Sequence, residues 1–147
     1  MGENVEQAII LAAGAGTRLK PLTTNKPKTL LNVGDSTIFD MAVSALINQG
    51  INRIVVITGH ASYVLEEHVR STYEAHDARF VFVRNDKPML GNIYSFYIAR
   101  HYMDRDFILL NSDVIFHPEI LKYLLEYGNS SVLAVDDQKE LGEEEMK

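Results

Sequence analysis

The stretch QAIILAAGAGTRLKPLTTNKPK, residues 7–28, decides how the rest of the chain is read. It opens with AIILA, an unbroken apolar run, and a run without polar alternation is the pattern of a parallel strand covered on both faces. The run ends in Gly14 and Gly16, where the backbone must turn and can pass close to a ligand. Residues 16–28 then carry four cations, Arg18, Lys20, Lys26 and Lys28, and no acid. The whole chain has 14 Lys and Arg against 20 Asp and Glu, a net charge of −6. A cationic loop in an acidic chain suits a small polyanion, and the acidic balance argues against nucleic acid as a partner.

Backbone N–H groups in such a glycine turn make a nest for phosphate oxygens, although a plain tight turn needs the same glycines. Two common phosphate loops are excluded. A dinucleotide-binding GxGxxG would require glycine at position 19, which is Leu19, and no GxxxxGK followed by Ser or Thr occurs. What remains is Gly-x-Gly-x-Arg, with Pro27 and Lys28 nine and ten residues beyond the arginine. Arg18 can hold two phosphate oxygens in a fork, Lys28 is a movable point charge, and Pro27 helps to fix the backbone entering Lys28. Lys20 and Lys26 read as solvated side chains.

Outward from this loop, apolar runs alternate with helical periodicity. A helix capped by Asp35 or Ser36 places Phe39, Val43, Leu46 and Ile47 on one face and stops at Gly50. RIVVIT from Arg53 is a buried strand, Ser62 caps a second helix, and RFVFVR at residues 79–84 is a strand. Residues 92–102 read as a helix, with Ile93, Phe96, Tyr97 and Ile98 as its core face. FILLN from Phe107 is a strand, Pro118 begins a helix running through Tyr127, and SVLAV at residues 131–135 is one more strand. Strands alternating with helices over the whole length predict an α/β fold with a mostly parallel, doubly wound sheet. Ligands of such sheets sit at the carboxyl ends of the strands.

At 147 residues, with 46% hydrophobic and 23% charged side chains, the chain fits one ordinary globular domain, residues 1–147. The absence of cysteine removes disulfides, thiolate metal sites and cysteine nucleophiles together. No signal peptide or membrane span is visible, and Glu6 breaks the myristoylation pattern, so a cytoplasmic location is expected. His60 and His117 read as loop or capping residues, since neither has a second histidine at ligand spacing.

LAAGAGTRLKPLTTNKPK closely resembles the opening signature of the nucleotidyltransferase superfamily that includes the sugar-1-phosphate nucleotidyltransferases, near LAAGxGxRLxPLTxxxPK. The resemblance implies a Rossmann-like sheet and a glycine loop around an NTP, with Leu11, Ala12, Ala13, Gly14, Gly16 and Thr17 seating the nucleotide. It further implies Arg18 on the triphosphate and Lys28 on the reacting phosphates. Asp113 follows the apolar strand FILLN and matches the family's metal aspartate, which implies a Mg2+ cofactor. A hard carboxylate there suits an ion that keeps several waters and takes one or two protein carboxylates. Relatives often carry a second acid beside this one; here the neighbours are Asn111, Ser112 and Val114. Their other metal aspartate comes from much later in the chain.

RNDKPMLGNIYSFY, residues 84–97, is similar to the matching segment of phosphocholine and inositol-1-phosphate cytidylyltransferases. That likeness implies Asn85 as a base or ribose contact, with Gly91 and Asn92 brought to the nucleotide. Asp136 and Lys139 are weaker candidates beside the acceptor. The expected reaction is transfer of CMP from CTP to a small phosphorylated alcohol or cyclitol, with release of pyrophosphate. A sugar-1-phosphate uridylyl- or thymidylyltransferase is the alternative. A non-catalytic nucleotide-binding subunit is a third reading, disfavoured by the joint presence of Arg18, Lys28 and Asp113. Relatives are longer, so this chain is expected to hold the nucleotide-binding part of a sheet incomplete at the C-terminus. It should bind nucleotide, turn over poorly alone, and pair through an uncovered edge as a homodimer or form part of a larger enzyme.

Overall fold

The computed structural model describes residues 5–127 and 130–135. Strand β1 (Gln7–Ala12) is buried along its whole length because it lies inside the sheet. It pairs in parallel with β4 (Arg53–Thr58) on one side and β6 (Phe107–Asn111) on the other, and β5 (Arg79–Arg84) pairs with β4. The strand order is β5-β4-β1-β6, so the chain builds outward in one direction and then crosses back past β1. The expected parallel α/β sheet is therefore present.

The apolar run of β1 divides by the period of two that a pleated strand imposes. Ala8, Ile10 and Ala12 join a core with Phe39, Val43 and Leu46 of α1 (Ile38–Asn48), Leu65 and Val69 of α2 (Ser62–Tyr73) and Leu121 of α4 (Glu119–Glu126). Ile9, Leu11 and Ala13 face the other way, against Ala99 and the half-buried Phe96 and Ile98 at the end of α3 (Gly91–Ile98). Two covered faces explain why the run has no polar alternation. No helix among the described residues is long and apolar enough to cross a membrane.

Several local expectations need correction. Helix α1 is capped by Thr37, whose hydroxyl accepts from the Asp40 amide at 3.0 Å, and not by Asp35 or Ser36. Ser36 is taken up by a small antiparallel hairpin of β2 (Asn32–Val33) and β3 (Ser36–Thr37), turned by Gly34 at φ 65. Two-residue strands are too short to leave a period in the sequence. At its other end α1 closes as expected on Gly50 (φ 81), with Gly50 N–H donating to Ile47 and Ile51 N–H to Leu46. Ser62 is the first residue of α2 and Ala61 the cap.

The helix expected over residues 92–102 starts one residue earlier and tightens to a 3₁₀ turn at Ala99–Tyr102. Phe96 and Ile98 pack inward as expected, but the buried residue of the helix is Ser95, which accepts from the buried Asn85 side-chain amide, and Ile93 and Tyr97 are turned out at 76% and 56% exposure. Tyr97 is instead overlaid by the Arg100 guanidinium, 4.1 Å from its ring centre. Residues 131–135 form no strand: Leu133 and Val135 are exposed, and no ladder partner pairs with them among the described residues. A β-prone run becomes a strand only where a neighbour takes its hydrogen bonds.

A polar cluster fastens α1 to α2. The Asp40 carboxylate accepts from the hydroxyls of Thr37 (2.6 Å) and Tyr73 (2.7 Å) and lies 2.9 and 3.0 Å from Nε2 of His68. Burial alone would raise its pKa, but the bonds from Thr37, His68 and Tyr73 together outweigh it and hold Asp40 below its ordinary value. Burial, reinforced by the Asp40 carboxylate, pushes the Tyr73 phenol up, so Tyr73 stays a donor.

A carboxyl depressed in the folded state stabilises the fold in full above its unfolded value, near 3.8, and loses that contribution as pH falls through the folded value. Asp40→Ala should therefore cost about 2 kcal/mol at pH 7, read as a lower urea midpoint. The gap from wild type should close as the solution is acidified below pH 3.8. Equal midpoints at pH 7 would refute the fastening role.

Candidate active site

The strand order reverses between β1 and β6, and a crevice at the carboxyl ends of the strands is expected at such a switch point. A cleft of about 210 Å³ lies there. This is below the roughly 300–1,000 Å³ of ordinary small-molecule pockets, so the described residues form a floor and walls around an open groove. Leu11 and Ala12 make the floor, because β1 ends beneath it.

One wall is the glycine loop. Gly16 adopts φ 61, and a side chain on it would meet Thr23 Cγ2 at 3.1 Å and Lys28 Cβ at 3.2 Å. The torsion thus favours glycine, and the tight space around it adds to the preference. The Thr23 hydroxyl donates to the Gly16 carbonyl at 2.7 Å, folding the loop back on itself. Thr17, Arg18 and Leu19 form a 3₁₀ turn that carries the exposed Arg18 into the cleft.

The second wall is the end of β6. Its ladder with β1 overruns by one bond, Ser112 N–H to the Leu11 carbonyl at 3.1 Å, which delivers Asn111, Ser112 and Asp113 to the cleft. Pro27, extended at φ −68 and ψ 149, leads into a 3₁₀ turn at Lys28–Leu30 that closes the third side. Thr29 is buried and donates its hydroxyl to the Ser112 carbonyl at 2.9 Å, stitching this turn to β6. Lys28 Nζ then reaches Asp113 Oδ2 at 3.0 Å. Both side chains are substantially exposed, and an exposed ion pair is worth about 1 kcal/mol or less. Either group can therefore exchange its partner for a ligand at little cost.

Leu11, Ala12, Gly14, Gly16, Thr17, Arg18, Lys28 and Asp113 of the sequence-derived set all border this cleft. Ala13 is buried behind the loop. Asn85 is 2% exposed, with its amide nitrogen on Ser95 and its oxygen accepting from Lys87 N–H, and neither it nor Gly91 borders the cleft. Asn92, adjacent to Gly91, does, and its amide faces Asn111 Oδ1 at 3.4 Å. Thr29 was not singled out by sequence reasoning, and only its place directly after Lys28 could have suggested it. No group of three or more His, Asp or Glu side chains converges among the described residues, and Asp113 is the one carboxylate among the described residues that border the cleft.

The family model of nucleotidyl transferases matches residues 7–139. The choline-phosphate cytidylyltransferase of Streptococcus pneumoniae is 35% identical over 111 residues, which cover 75% of this chain and 46% of that protein. The UTP–glucose-1-phosphate uridylyltransferase of Haloferax volcanii is 31% identical over 114 residues, 78% of this chain and 46% of the relative. In structure, the inositol-1-phosphate CTP transferase from T. maritima superposes with a TM-score of 0.72 at 29% identity, covering 83% of this chain and 49% of that one. The chain spans about half the length of these proteins.

Thr29→Val keeps the volume of the side chain and deletes the donor that reaches Ser112. It should cost about 1 kcal/mol in urea unfolding and speed amide exchange at Ser112 and Asp113 more than in the centre of β1. Uniform exchange rates across all three would show that the stitch does not hold the two walls together.

Proposed function

Because the chain belongs to the nucleotidyl transferase family, we propose that it is the nucleotide-binding part of a Mg2+-dependent cytidylyltransferase that passes CMP from CTP to a small phosphorylated alcohol or cyclitol. The observation that carries this reading is the convergence of Arg18, Lys28 and Asp113 on a glycine loop at the ends of β1 and β6. An acceptor phosphate oxygen attacks the α-phosphorus, the bond from that phosphorus to the bridging oxygen of the β-phosphate breaks, and pyrophosphate leaves with the electron pair. No covalent enzyme intermediate is required.

In such a transfer the protein mainly positions the reactants and offsets negative charge. Arg18 holds two oxygens of the triphosphate in its fork. Lys28 gives up its weak contact with Asp113 and follows the charge developing between the α- and β-phosphates. The backbone N–H groups from Gly14 to Thr17 seat the nucleotide. Asp113 is a hard oxygen donor of the kind that fits Mg2+, and Asn111 borders the same cleft. When bound, Mg2+ would offset phosphate charge, and Asp113 would hold it.

The choice of CTP is supported by the cytidylyltransferases among the similar proteins and by the likeness of residues 84–97 to that group. The 31% identity to a uridylyltransferase favours a second reading, in which UTP and a sugar-1-phosphate are the substrates.

Calorimetric titration of the 147-residue chain with CTP, UTP and dTTP in the presence of Mg2+ should give the tightest binding for CTP. A pyrophosphate-release assay with phosphocholine, inositol-1-phosphate and glucose-1-phosphate then identifies the acceptor. Tighter binding of UTP or dTTP would overturn the choice of CTP. Asp113→Ala should leave the circular dichroism spectrum unchanged and remove the Mg2+-dependent part of nucleotide binding, a loss of about tenfold. If the Mg2+ dependence persisted in that variant, Asp113 would have no metal role.

A further inference from the structure

The turn that follows β4 packs against the glycine loop from behind, on the side away from the cleft. We propose that this turn is a clasp that sets the shape of the loop, with Gly59 and His60 as positioning residues that hold the phosphate-binding backbone without touching the nucleotide. This inference rests on the nucleotidyl-transfer reading for its purpose, and on contacts behind the cleft for its geometry.

The first contact is steric. A Cβ built on Gly59 would stand 2.4 Å from the Ala13 carbonyl oxygen and 2.9 Å from Ala13 Cα. Gly59 is not in the left-handed region, unlike Gly16 at φ 61, so space alone demands glycine there. The obstacle is backbone, which cannot swing aside as a flexible side chain could. Ala13 is the last residue before the loop, and Gly59 therefore fixes where the loop departs from β1.

The second contact is a hydrogen bond. His60 Nε2 lies 2.9 Å from the Thr23 carbonyl and donates to it. Thr23 is completely buried, and its hydroxyl donates in turn to the Gly16 carbonyl at 2.7 Å. His60 thus anchors the returning end of the loop, while Gly59 bears on its start. The residues between, including Gly14, Gly16, Thr17 and Arg18, are held from both ends, which lowers the ordering cost a ligand would otherwise meet. The next residue, Ala61, sits at φ 51 and ψ 39, a conformation unfavourable to an L-residue. Strain of this kind persists where the surroundings over-determine it, and here it turns the chain from the clasp into α2.

The test compares wild type with His60→Ala, His60→Gln and Gly59→Ala by amide hydrogen exchange, thermal melting and CTP titration. His60→Ala should raise exchange across residues 14–24 by about threefold to tenfold and weaken CTP binding by a similar factor. Exchange in β1 and β4 should stay at the wild-type level. His60→Gln should restore both readouts, because the glutamine amide can present N–H where Nε2 does. Gly59→Ala should weaken CTP binding further, by displacing Ala13.

Unchanged loop exchange in His60→Ala, or an equal rise throughout the sheet, would overturn the clasp. Loss in His60→Ala without recovery in His60→Gln would do the same, since the hydrogen bond would not be the cause. If the wild-type chain bound no NTP, the functional reading would fall, while the exchange comparison would still decide whether the clasp exists.

Discussion

Everything in this molecule depends on β1 having a neighbour on each side and a hydrophobic layer on each face. A strand so enclosed cannot tilt or slip, because a shift by one residue would send Ile9 and Leu11 into the wrong layer. Its carboxyl end is therefore the most fixed point available, and the glycine loop leaves from that point. The same strand sets the far wall, since the ladder to β6 runs on to Ser112 and delivers Asp113. Two loops distant in sequence thus share one rigid support.

Charge adds a second layer of organisation. Lys28 and Asp113 come from segments on either side of the cleft and meet at 3.0 Å. Without the pairing, a cation and an anion would each face water across an open groove, and each could be drawn to unrelated surface charges. Their mutual contact is weak enough to be given up and directional enough to keep both side chains over the cleft. Thr29 makes the arrangement durable: its buried hydrogen bond to Ser112 fixes the spacing between the segments that carry the pair.

How much of this was legible in the sequence follows from the length scale of each feature. β1, β4, β5 and β6 were readable because five or six consecutive apolar or alternating residues leave no competing pattern. The stop of α1 was readable because Gly50 is needed for its left-handed cap. The start of α1 was not, because three adjacent residues, Asp35, Ser36 and Thr37, could each cap and only the β2–β3 hairpin decides among them. The inward face of α3 was read in half: Phe96 and Ile98 pack on the core as expected, whereas Ile93 and Tyr97 are turned out. The buried amide of Asn85 required a polar partner, and Ser95 points inward to meet it. The residues with distinctive chemistry, Gly16, Arg18, Lys28 and Asp113, were singled out in the sequence and border one cleft, and the quiet one that joins the walls, Thr29, was not singled out.

The parallel sheet also gives the molecule two unlike ends. At the amino ends of the strands the contacts are structural: backbone bonds such as Asn52 and Arg53 N–H to the Glu6 carbonyl and Arg79 N–H to the Asn52 carbonyl, the Gln7 side chain on the Tyr102 carbonyl, and Arg53 near Asp104. The turn at residues 74–77 on that side is solvent-exposed and makes no contact with the groove. A substitution at its exposed positions meets water rather than the groove. For anyone wishing to attach a dye, a tether or a surface to this protein, that end is the handle, and the opposite end is left undisturbed.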